Sequence, residues 1–308
     1  PFSLFSHYDR SMEFVLSLFI TTVFAAEMIL SPVPEDVLSS FGSIKISTKI
    51  EAFPDVSFGD IMITPTPTVT PTPSPSPTPS PIPMRTARKQ SFTIALLGDS
   101  MMDTMGPDAP ALKSLLSKTY QGTEFTIKNY GVGGTNIEYG IERITSGYNY
   151  LGNPIPALSS IQPDIVVVES FGYNPFPFDE GAIDKHWLSM AKVVDTLRSS
   201  IPGVKIVIAA TIAPNWNVFG DGAAGLSFDP IAKSQKVTVI KKYLENAVKF
   251  AKSQSLPLAN AYNPSLDGSG NGKLAYINPG DHIHYSDAGR AFFAQKILGA
   301  IVANHLLE

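Results

Sequence analysis

The C-terminal two-thirds of the chain alternates between short apolar runs and longer amphipathic stretches. A short continuous apolar run is typical of a strand that is covered on both faces. In residues 164–169 the apolar side chains are β-branched, which favours a sheet over a helix. The pattern therefore predicts strands at residues 92–97, 124–129, 164–169, 205–211 and 256–261.

The stretches between these runs predict helices. Residues 182–200 repeat apolar side chains near helical spacing, and Pro202-Gly203 ends the repeat. Asp229-Pro230 is a favoured helix start, because Asp suits the N-cap and Pro suits the first helical position. The predicted helical segments are residues 109–120, 137–144, 155–160, 182–200, 229–254 and 286–304.

Strands that alternate with helices indicate a parallel sheet. We therefore predict an α/β fold, a flavodoxin-like three-layer α/β/α sandwich with a five-stranded parallel sheet in the order 2-1-3-4-5. This order places its switch point beside the first strand, and open α/β folds bind ligands at the carboxyl ends of strands near that point. The residues that follow the first strand are thus the first candidates for chemistry.

Gly98-Asp99-Ser100 follows the first predicted strand and places a hydroxyl at this edge of the sheet. Gly98 permits a tight turn, and a helix that begins there presents free N–H groups that favour negative charge. A serine becomes a nucleophile only with a nearby base, a group that orients the base, and donors for the oxyanion. Asp281 stands three residues before His284, so an acid and a base can share one turn before the last helix.

Two further stretches follow predicted strands. Residues 129–135 form a Gly-rich turn, and residues 169–174 complete the third strand and the loop after it. Each can bring an N–H donor to the edge that carries Ser100, because the carboxyl ends of parallel strands meet at one edge.

Four short motifs in these stretches resemble the sequence blocks of the SGNH (GDSL-type) hydrolase family, in the family's order and over about residues 90 to 304. They are Gly98-Asp99-Ser100, the Asn-x-Gly-x-x-Gly turn at 129–134, Gly172-x-Asn174 and Asp281-x-x-His284. Met101 stands where many members have Leu, and Pro175 stands where the third block usually has Asp. The missing carboxylate reshapes that loop but leaves the amide donor in place.

The resemblance implies a carboxylic ester hydrolase with a Ser-His-Asp triad and no cofactor. It makes Ser100 the nucleophile, His284 the base and Asp281 the residue that orients the base. The oxyanion hole implied by the resemblance consists of the backbone N–H groups of Ser100 and Gly134 and the side-chain amide of Asn174.

Each of these residues also has a structural interpretation. Ser100 is a common helix-capping residue after a strand, and Asn174 before a proline is a turn signal. The glycines of the 129–134 turn can be present only because the turn needs backbone angles that other residues avoid. Asp99 we interpret as structural, bonding N–H groups in its own loop.

His282 competes with His284 for the role of the base, and the family spacing favours His284. Asp281, His282 and His284 together also resemble some zinc sites. The sequence places no further His or Glu cluster with them, so we predict no metal.

The composition sets further limits. The chain has 308 residues, 44% of them hydrophobic, which is enough for one sizeable core with appendages. A formal net charge of −4 gives no electrostatic case for nucleic-acid binding. The absence of cysteine from the sequence excludes disulfides and thiolate chemistry.

The N-terminal part differs in character from the rest. Residues 1–30 contain an uncharged stretch, residues 14–26, that is shorter than the about 20 residues of a membrane span and suits the core of a signal peptide. We interpret residues 1–30 as an export or membrane-anchor segment, with a buried or adventitious segment as the alternative. Residues 31–63 show only weak alternation and no chemistry.

Residues 64–88 are dominated by Pro, Thr and Ser, which predicts a disordered linker of polyproline II character. At about 3.1 Å per residue its proline-rich part would span on the order of 60 Å. The hydrolase domain then comprises residues 89–306. A spacer between an apolar segment and a catalytic domain favours a secreted or cell-surface protein tethered through its N-terminus; the alternative is an unstructured tail.

Aromatic residues cluster after the third and fourth predicted strands. Tyr173, Phe176 and Trp216 are candidates for substrate binding, with loop-anchoring core residues as the alternative. With surface tethering, they favour removal of small O-acyl groups, such as acetyl, from extracellular carbohydrate. The alternatives are a lipase or lysophospholipase-like esterase, a sugar O-acyltransferase, and an inactive surface glycan-binding module.

Overall fold

The structure, a computed structural model, describes residues 84–308. The predicted signal or anchor at 1–30, the segment at 31–63 and most of the linker at 64–88 lie outside the described residues. Between residues 84 and 308, no helix is both long and apolar enough to cross a lipid bilayer.

Strands and helices alternate along the described chain. The strands are β1 (Ser91–Gly98), β2 (Glu124–Gly131), β3 (Tyr148–Tyr150), β4 (Asn153–Ile155), β5 (Ile165–Glu169), β6 (Lys205–Ala210) and β7 (Leu258–Asn260). The α-helices are α1 (Ser100–Asp103), α2 (Pro110–Thr119), α3 (Ile137–Thr145), α4 (Ala182–Ser200), α5 (Pro230–Ser253), α6 (Tyr262–Ser265) and α7 (Asp287–Ala303). Short 3-10 turns cover Leu158–Ile161 and Leu274–Tyr276.

Five strands form one parallel sheet in the order β2-β1-β5-β6-β7. Counted along the sheet strands alone this is the order 2-1-3-4-5, so the predicted fold is confirmed. The register pairs Gly98 with Gly131 on one side of β1 and Leu97 with Val168 on the other. The carboxyl ends of β2, β1 and β5 therefore lie side by side, at the switch point of the sheet.

Each face of the sheet has its own apolar core, which explains the near-continuous apolar runs. Ile94 and Leu96 belong to the core under α2 and α7, whereas Ala95 and Leu97 belong to the core under α3, α4 and α5. The four side chains are fully buried, because alternate residues of a strand point to opposite faces and both faces are covered.

The structure departs from the prediction between α3 and β5. Residues 155–160 were predicted to be helical, but Tyr148–Tyr150 and Asn153–Ile155 pair as an antiparallel hairpin. Its two-residue turn has Leu151 at φ 50° and Gly152 at φ 77°. Positive φ at both turn residues matches the twist of a hairpin, and a leucine there gives little sequence signal. The only helical structure in this stretch is the 3-10 turn at Leu158–Ile161.

The folded unit extends beyond the predicted limits of 89–306 at both ends. The Arg85 N–H donates to the Thr119 carbonyl at 2.8 Å, and the Arg88 N–H donates to the Leu307 carbonyl at 2.7 Å. Leu307 is fully buried in the core beside α7. Backbone bonds and apolar burial thus bring both flanks into the domain.

A histidine is buried where α4 meets α5. His186 donates from Nε2 to the Ser170 carbonyl at 2.8 Å and accepts at Nδ1 from the Asn246 amide at 2.9 Å. Both partners are neutral, so burial lowers the pKa of His186 to about 4.

We expect acid to destabilise the fold through His186. The unfolded chain takes up a proton near pH 6.5 while the buried ring stays neutral, so the contribution is complete above pH 6.5 and is lost as pH falls toward 4. Between pH 6.5 and pH 5 this costs about 2 kcal/mol of the free energy of unfolding, and His186→Gln removes that pH dependence. Urea unfolding at several pH values measures it, with exposed His305→Gln as the control. Equal acid sensitivity in the wild type and His186→Gln would contradict the assignment.

Candidate active site

Ser100 begins α1 directly after β1. Asp99 is the N-cap, and its Oδ1 accepts the Met101 N–H at 2.8 Å. A Cβ at Gly98 would lie 2.7 Å from the Cβ atoms of both Glu169 and Met102, so the turn needs glycine at this position. The serine is therefore presented, half-buried, at the carboxyl edge of the sheet.

The end of β2 holds α1 in place. Asn129 donates from Nδ2 to the carbonyls of Met102 and Gly106, both at 2.8 Å. A Cβ at Gly131 would come within 2.2 Å of the Asp103 nitrogen, so only glycine lets β2 approach α1 this closely. Asn129 and Gly131 thus position the Ser100 turn, a role that the motif alone did not indicate.

The Gly-rich turn after β2 lies beside Ser100. A Cβ at Gly133 would be 3.8 Å from the Ser100 Cβ. Gly134 has φ 71°, the left-handed region that favours glycine. In residues 84–308, no carbonyl or side chain accepts the N–H of Ser100 or of Gly134, so both donors are open to a ligand.

Asn174 reaches the same place from the loop after β5. Its Nδ2 donates to Asp99 Oδ2 at 3.0 Å, and its backbone N–H donates to the Phe171 carbonyl at 3.3 Å. A side-chain amide has two N–H donors, so one remains for a ligand. Asp99 thus links the start of α1 to Asn174, in keeping with the structural role predicted for it.

Asp281 and His284 form a hydrogen-bonded pair in the loop before α7. Asp281 Oδ2 lies 2.9 Å from His284 Nδ1, and Asp281 Oδ1 accepts the backbone N–H groups of Ile283 at 2.9 Å and His284 at 3.0 Å. Partial burial by itself raises the pKa of Asp281, but the bonds from the His284 ring and these N–H groups lower it to about 2. The ionised carboxylate holds the proton on Nδ1, which leaves His284 Nε2 as the acceptor.

His284 lies near the Ser100 turn but is not bonded to it. The described residues contain no hydrogen bond between the Ser100 hydroxyl and the His284 ring. Burial raises the pKa of Asp99 and of Asp103, and a proton on the second nitrogen of the His284 ring would partly offset both increases. The His284 ring therefore lies close enough to Asp99 and Asp103 for a charge on it to act on both carboxyl groups.

His282 is directed away from this pair. Its Nδ1 donates to the Asp221 carbonyl at 2.6 Å, in the loop after β6, and its φ is 52°. His284 is thus the histidine that Asp281 orients. Among residues 84–308, no three His, Asp or Glu side chains are arranged to hold a metal ion.

Two polar residues behind the site had no sequence signal. Arg143 is buried and donates to the Gly98 carbonyl at 2.9 Å and to Thr135 Oγ1 at 3.0 Å; burial lowers its pKa to about 10. Tyr150, from the hairpin, donates to Asp103 Oδ2 at 2.7 Å and accepts the Gly133 N–H at 3.2 Å. Both residues brace the turns that carry Ser100 and Gly134.

The three candidate substrate residues differ in exposure. Trp216 is 37% exposed, with Lys241 Nζ 4.7 Å from its ring centroid. The Tyr173 hydroxyl donates to the Ile212 carbonyl at 3.1 Å, and its ring is partly buried against the core. Phe176 is only 4% exposed and packs in the core, so the structure favours the loop-anchoring interpretation and not substrate contact for this residue.

We expect Tyr150→Phe to destabilise the domain by about 1–3 kcal/mol, because the Asp103 carboxylate and the Gly133 N–H both lose a partner. The matched control is Tyr148→Phe, which removes a hydroxyl from the same hairpin that has no hydrogen-bond partner in the described residues. Urea unfolding compares the two variants. If both variants lower the free energy of unfolding equally, the Tyr150 hydroxyl adds nothing to stability through its two hydrogen bonds.

Comparison with known proteins agrees with this architecture. No protein-family model and no curated protein matches the chain. Many solved structures do match it, and two of them serve as examples. One is a lipase/acylhydrolase from Enterococcus faecalis, with a TM-score of 0.50 and 16% identity, and the match covers 69% of this chain and 96% of that one. Another is a GDSL-like lipase from Bacteroides thetaiotaomicron, with a TM-score of 0.50 and 13% identity, and the match covers 69% of this chain and 89% of that one. The described part of the chain therefore has the α/β fold of the GDSL-type lipases and acylhydrolases.

Proposed function

We propose that this protein is a serine carboxylic ester hydrolase of the SGNH (GDSL) type that removes small acyl groups, acetyl foremost, from extracellular carbohydrate. One observation carries the proposal. The Asp281–His284 pair leaves Nε2 free near a half-buried serine whose own N–H and that of Gly134 have no acceptor in residues 84–308. In this proposal the base and the oxyanion site lie on either side of the Ser100 hydroxyl.

In the proposed reaction the Ser100 hydroxyl attacks the ester carbonyl carbon while His284 Nε2 takes its proton. Asp281 stabilises the imidazolium through the 2.9 Å bond to Nδ1. The imidazolium then gives its proton to the departing alcohol oxygen, which leaves an acyl-serine. A water molecule, deprotonated by the same imidazole, hydrolyses the acyl-serine and restores the hydroxyl.

The negative charge that develops on the carbonyl oxygen requires donors fixed beforehand. Ser100 N–H, Gly134 N–H and the second N–H of Asn174 are in this proposal the three donors. Each comes from a different strand end, so the sheet itself sets their spacing. Losing one such donor typically costs about 3–4 kcal/mol in the activation barrier.

The carbohydrate part of the proposal rests on the loop after β6. This loop packs on the loop that carries the base: Asp221 accepts from His282, and a Cβ at Gly222 would lie 2.4 Å from the Gly280 carbonyl oxygen. The exposed ring of Trp216 belongs to the same loop and offers an apolar face on which a sugar ring can stack. We further propose a secreted or surface-tethered protein, with residues 64–88 as the spacer and the N-terminal segment as the signal or anchor.

A lipase-like esterase is the second candidate. It is favoured by the two similar structures, which are described as a lipase/acylhydrolase and a GDSL-like lipase. The two candidates use the same triad and differ in the length of the acyl chain that the site accepts.

We expect the isolated domain to hydrolyse p-nitrophenyl acetate and Ser100→Ala or His284→Ala to lower kcat/KM by about 10³-fold or more. The matched control is His282→Ala, which keeps activity within about tenfold because that ring is bonded to a neighbouring loop. Circular dichroism verifies that each variant folds. Equal losses in His282→Ala and His284→Ala would remove the assignment of the base, and an inert wild type would favour a glycan-binding module.

We expect activity to fall as the acyl chain of p-nitrophenyl esters lengthens from acetate, and acetate to be released from acetylated polysaccharides. Trp216→Ala lowers release from polysaccharide by about tenfold, the effect of losing one stacking contact, and leaves hydrolysis of p-nitrophenyl acetate unchanged. Preference for long chains would favour the lipase-like candidate. Equal losses on both substrates would remove Trp216 from the proposed carbohydrate contact.

A further inference from the structure

Two carboxyl groups lie against each other behind Ser100. Asp99 and Glu169 have no exposed surface, and they stand at the ends of the neighbouring strands β1 and β5. The Asp99 N–H donates to Glu169 Oε2 at 3.4 Å, and the same oxygen lies 3.2 Å from where a Cβ at Gly98 would be, so the Glu169 carboxyl is packed against the turn that carries Asp99. A direct bond between two carboxyl groups requires a proton on one of them.

The other partners of the pair are neutral. Asp99 accepts from the Met101 N–H at 2.8 Å and from the Asn174 amide at 3.0 Å. Glu169 Oε1 accepts from the Ser170 hydroxyl at 2.6 Å. No cation in the described residues is bonded to either carboxyl group.

The positive charge near the pair is too small to balance two carboxylates. The buried cation behind the site is Arg143, and its guanidinium donates to the Gly98 carbonyl and to Thr135 instead of to either acid. Two adjacent buried carboxylates with one such cation would leave an uncompensated charge, which is costly in the interior. The remaining titratable groups around the pair are Tyr173, Tyr285 and His284, with His186 reached through Ser170; Asp103 lies near the same Arg143 as Asp99.

The position of the proton follows from the surroundings. Burial raises the pKa of both acids. The charge of Asp99 raises the pKa of Glu169 further, so that it stands well above its ordinary value. The hydrogen bonds from Asn174, the Met101 N–H and Glu169 lower the pKa of Asp99 and partly offset its burial.

We propose that Glu169 is protonated at neutral pH, donates its proton in a hydrogen bond to Asp99, and so acts as a positioning residue for the Ser100 turn and the Asn174 amide. Asp99 then accepts hydrogen bonds from the N-terminus of α1, from the Asn174 amide and from the Glu169 carboxyl group. Loss of the proton would place two like charges together and push Asp99 away from the groups that it holds. The effect on catalysis rests on the proposed function. The protonation of Glu169 does not depend on it.

The pH dependence of stability tests whether Glu169 is protonated, and this test requires no enzyme activity. The native state keeps a proton that the unfolded chain gives up above the ordinary Glu pKa, so the stability that Glu169 contributes falls as pH rises. The unfolding equilibrium constant of the wild type relative to Glu169→Gln should rise about tenfold per pH unit between pH 5 and pH 7. The exposed Glu142→Gln is the control, for which the ratio stays flat. A flat ratio for Glu169→Gln as well would overturn the proposal.

A measurement on the wild type decides the matter if Glu169→Gln does not fold. In protein labelled with ¹³C at the glutamate side-chain carboxyls, one signal should keep the position of a neutral acid at pH 7. If all glutamate signals stand at the carboxylate position, the proposal is overturned.

Ester hydrolysis tests the positioning role. Glu169→Leu should lower kcat by about tenfold or more with little change in KM, because the interaction serves the reacting geometry and not binding. Glu169→Gln, which keeps a donor toward Asp99, should recover most of this loss and should extend activity to higher pH than the wild type. Equal losses in both variants would overturn the positioning role. If the wild type hydrolyses no ester, the proposed function fails, while the pH dependence of stability and the labelled carboxyl still decide the protonation of Glu169.

Discussion

The pairing of β1 with both β2 and β5 is the constraint on which the site depends. Three parallel strands in register end at the same level, so the turns after them must share one small volume. Ser100, Gly134 and Asn174 come from these three turns. The sheet, with its apolar core on each face, thus fixes the three turns relative to one another.

The polar groups behind Ser100 form a hydrogen-bonded network that supports its turn. Asp99, Glu169, Arg143 and Asn129 bond mainly to backbone groups or to one another. Such groups are costly to bury, and the cost is offset only when their hydrogen bonds are made. Their hydrogen bonds to the backbone at Gly98, Met101 and Met102 hold the Ser100 turn in one conformation.

The sequence predicted what depends on local pattern. The apolar runs predicted the sheet strands and their order, and the spacing of Asp281 and His284 predicted a pair that the structure forms with a 2.9 Å bond. Long-range contacts were not predictable. Nothing local marks Arg143 as the partner of the Gly98 carbonyl, and an aromatic residue such as Phe176 has the same pattern whether its loop turns inward or outward. The hairpin was missed because its strands are short and its turn places a leucine at positive φ.

The close approach of Gly222 to the Gly280 carbonyl links the β6–α5 loop to the loop that carries Asp281 and His284. No side chain fits between the two backbones. The β6–α5 loop and the loop that carries Asp281 and His284 must therefore shift together if the sequence of either loop is changed. A side chain at residue 222, or a rebuilt β6–α5 loop that brings one there, would thus displace the segment that leads into Asp281 and His284.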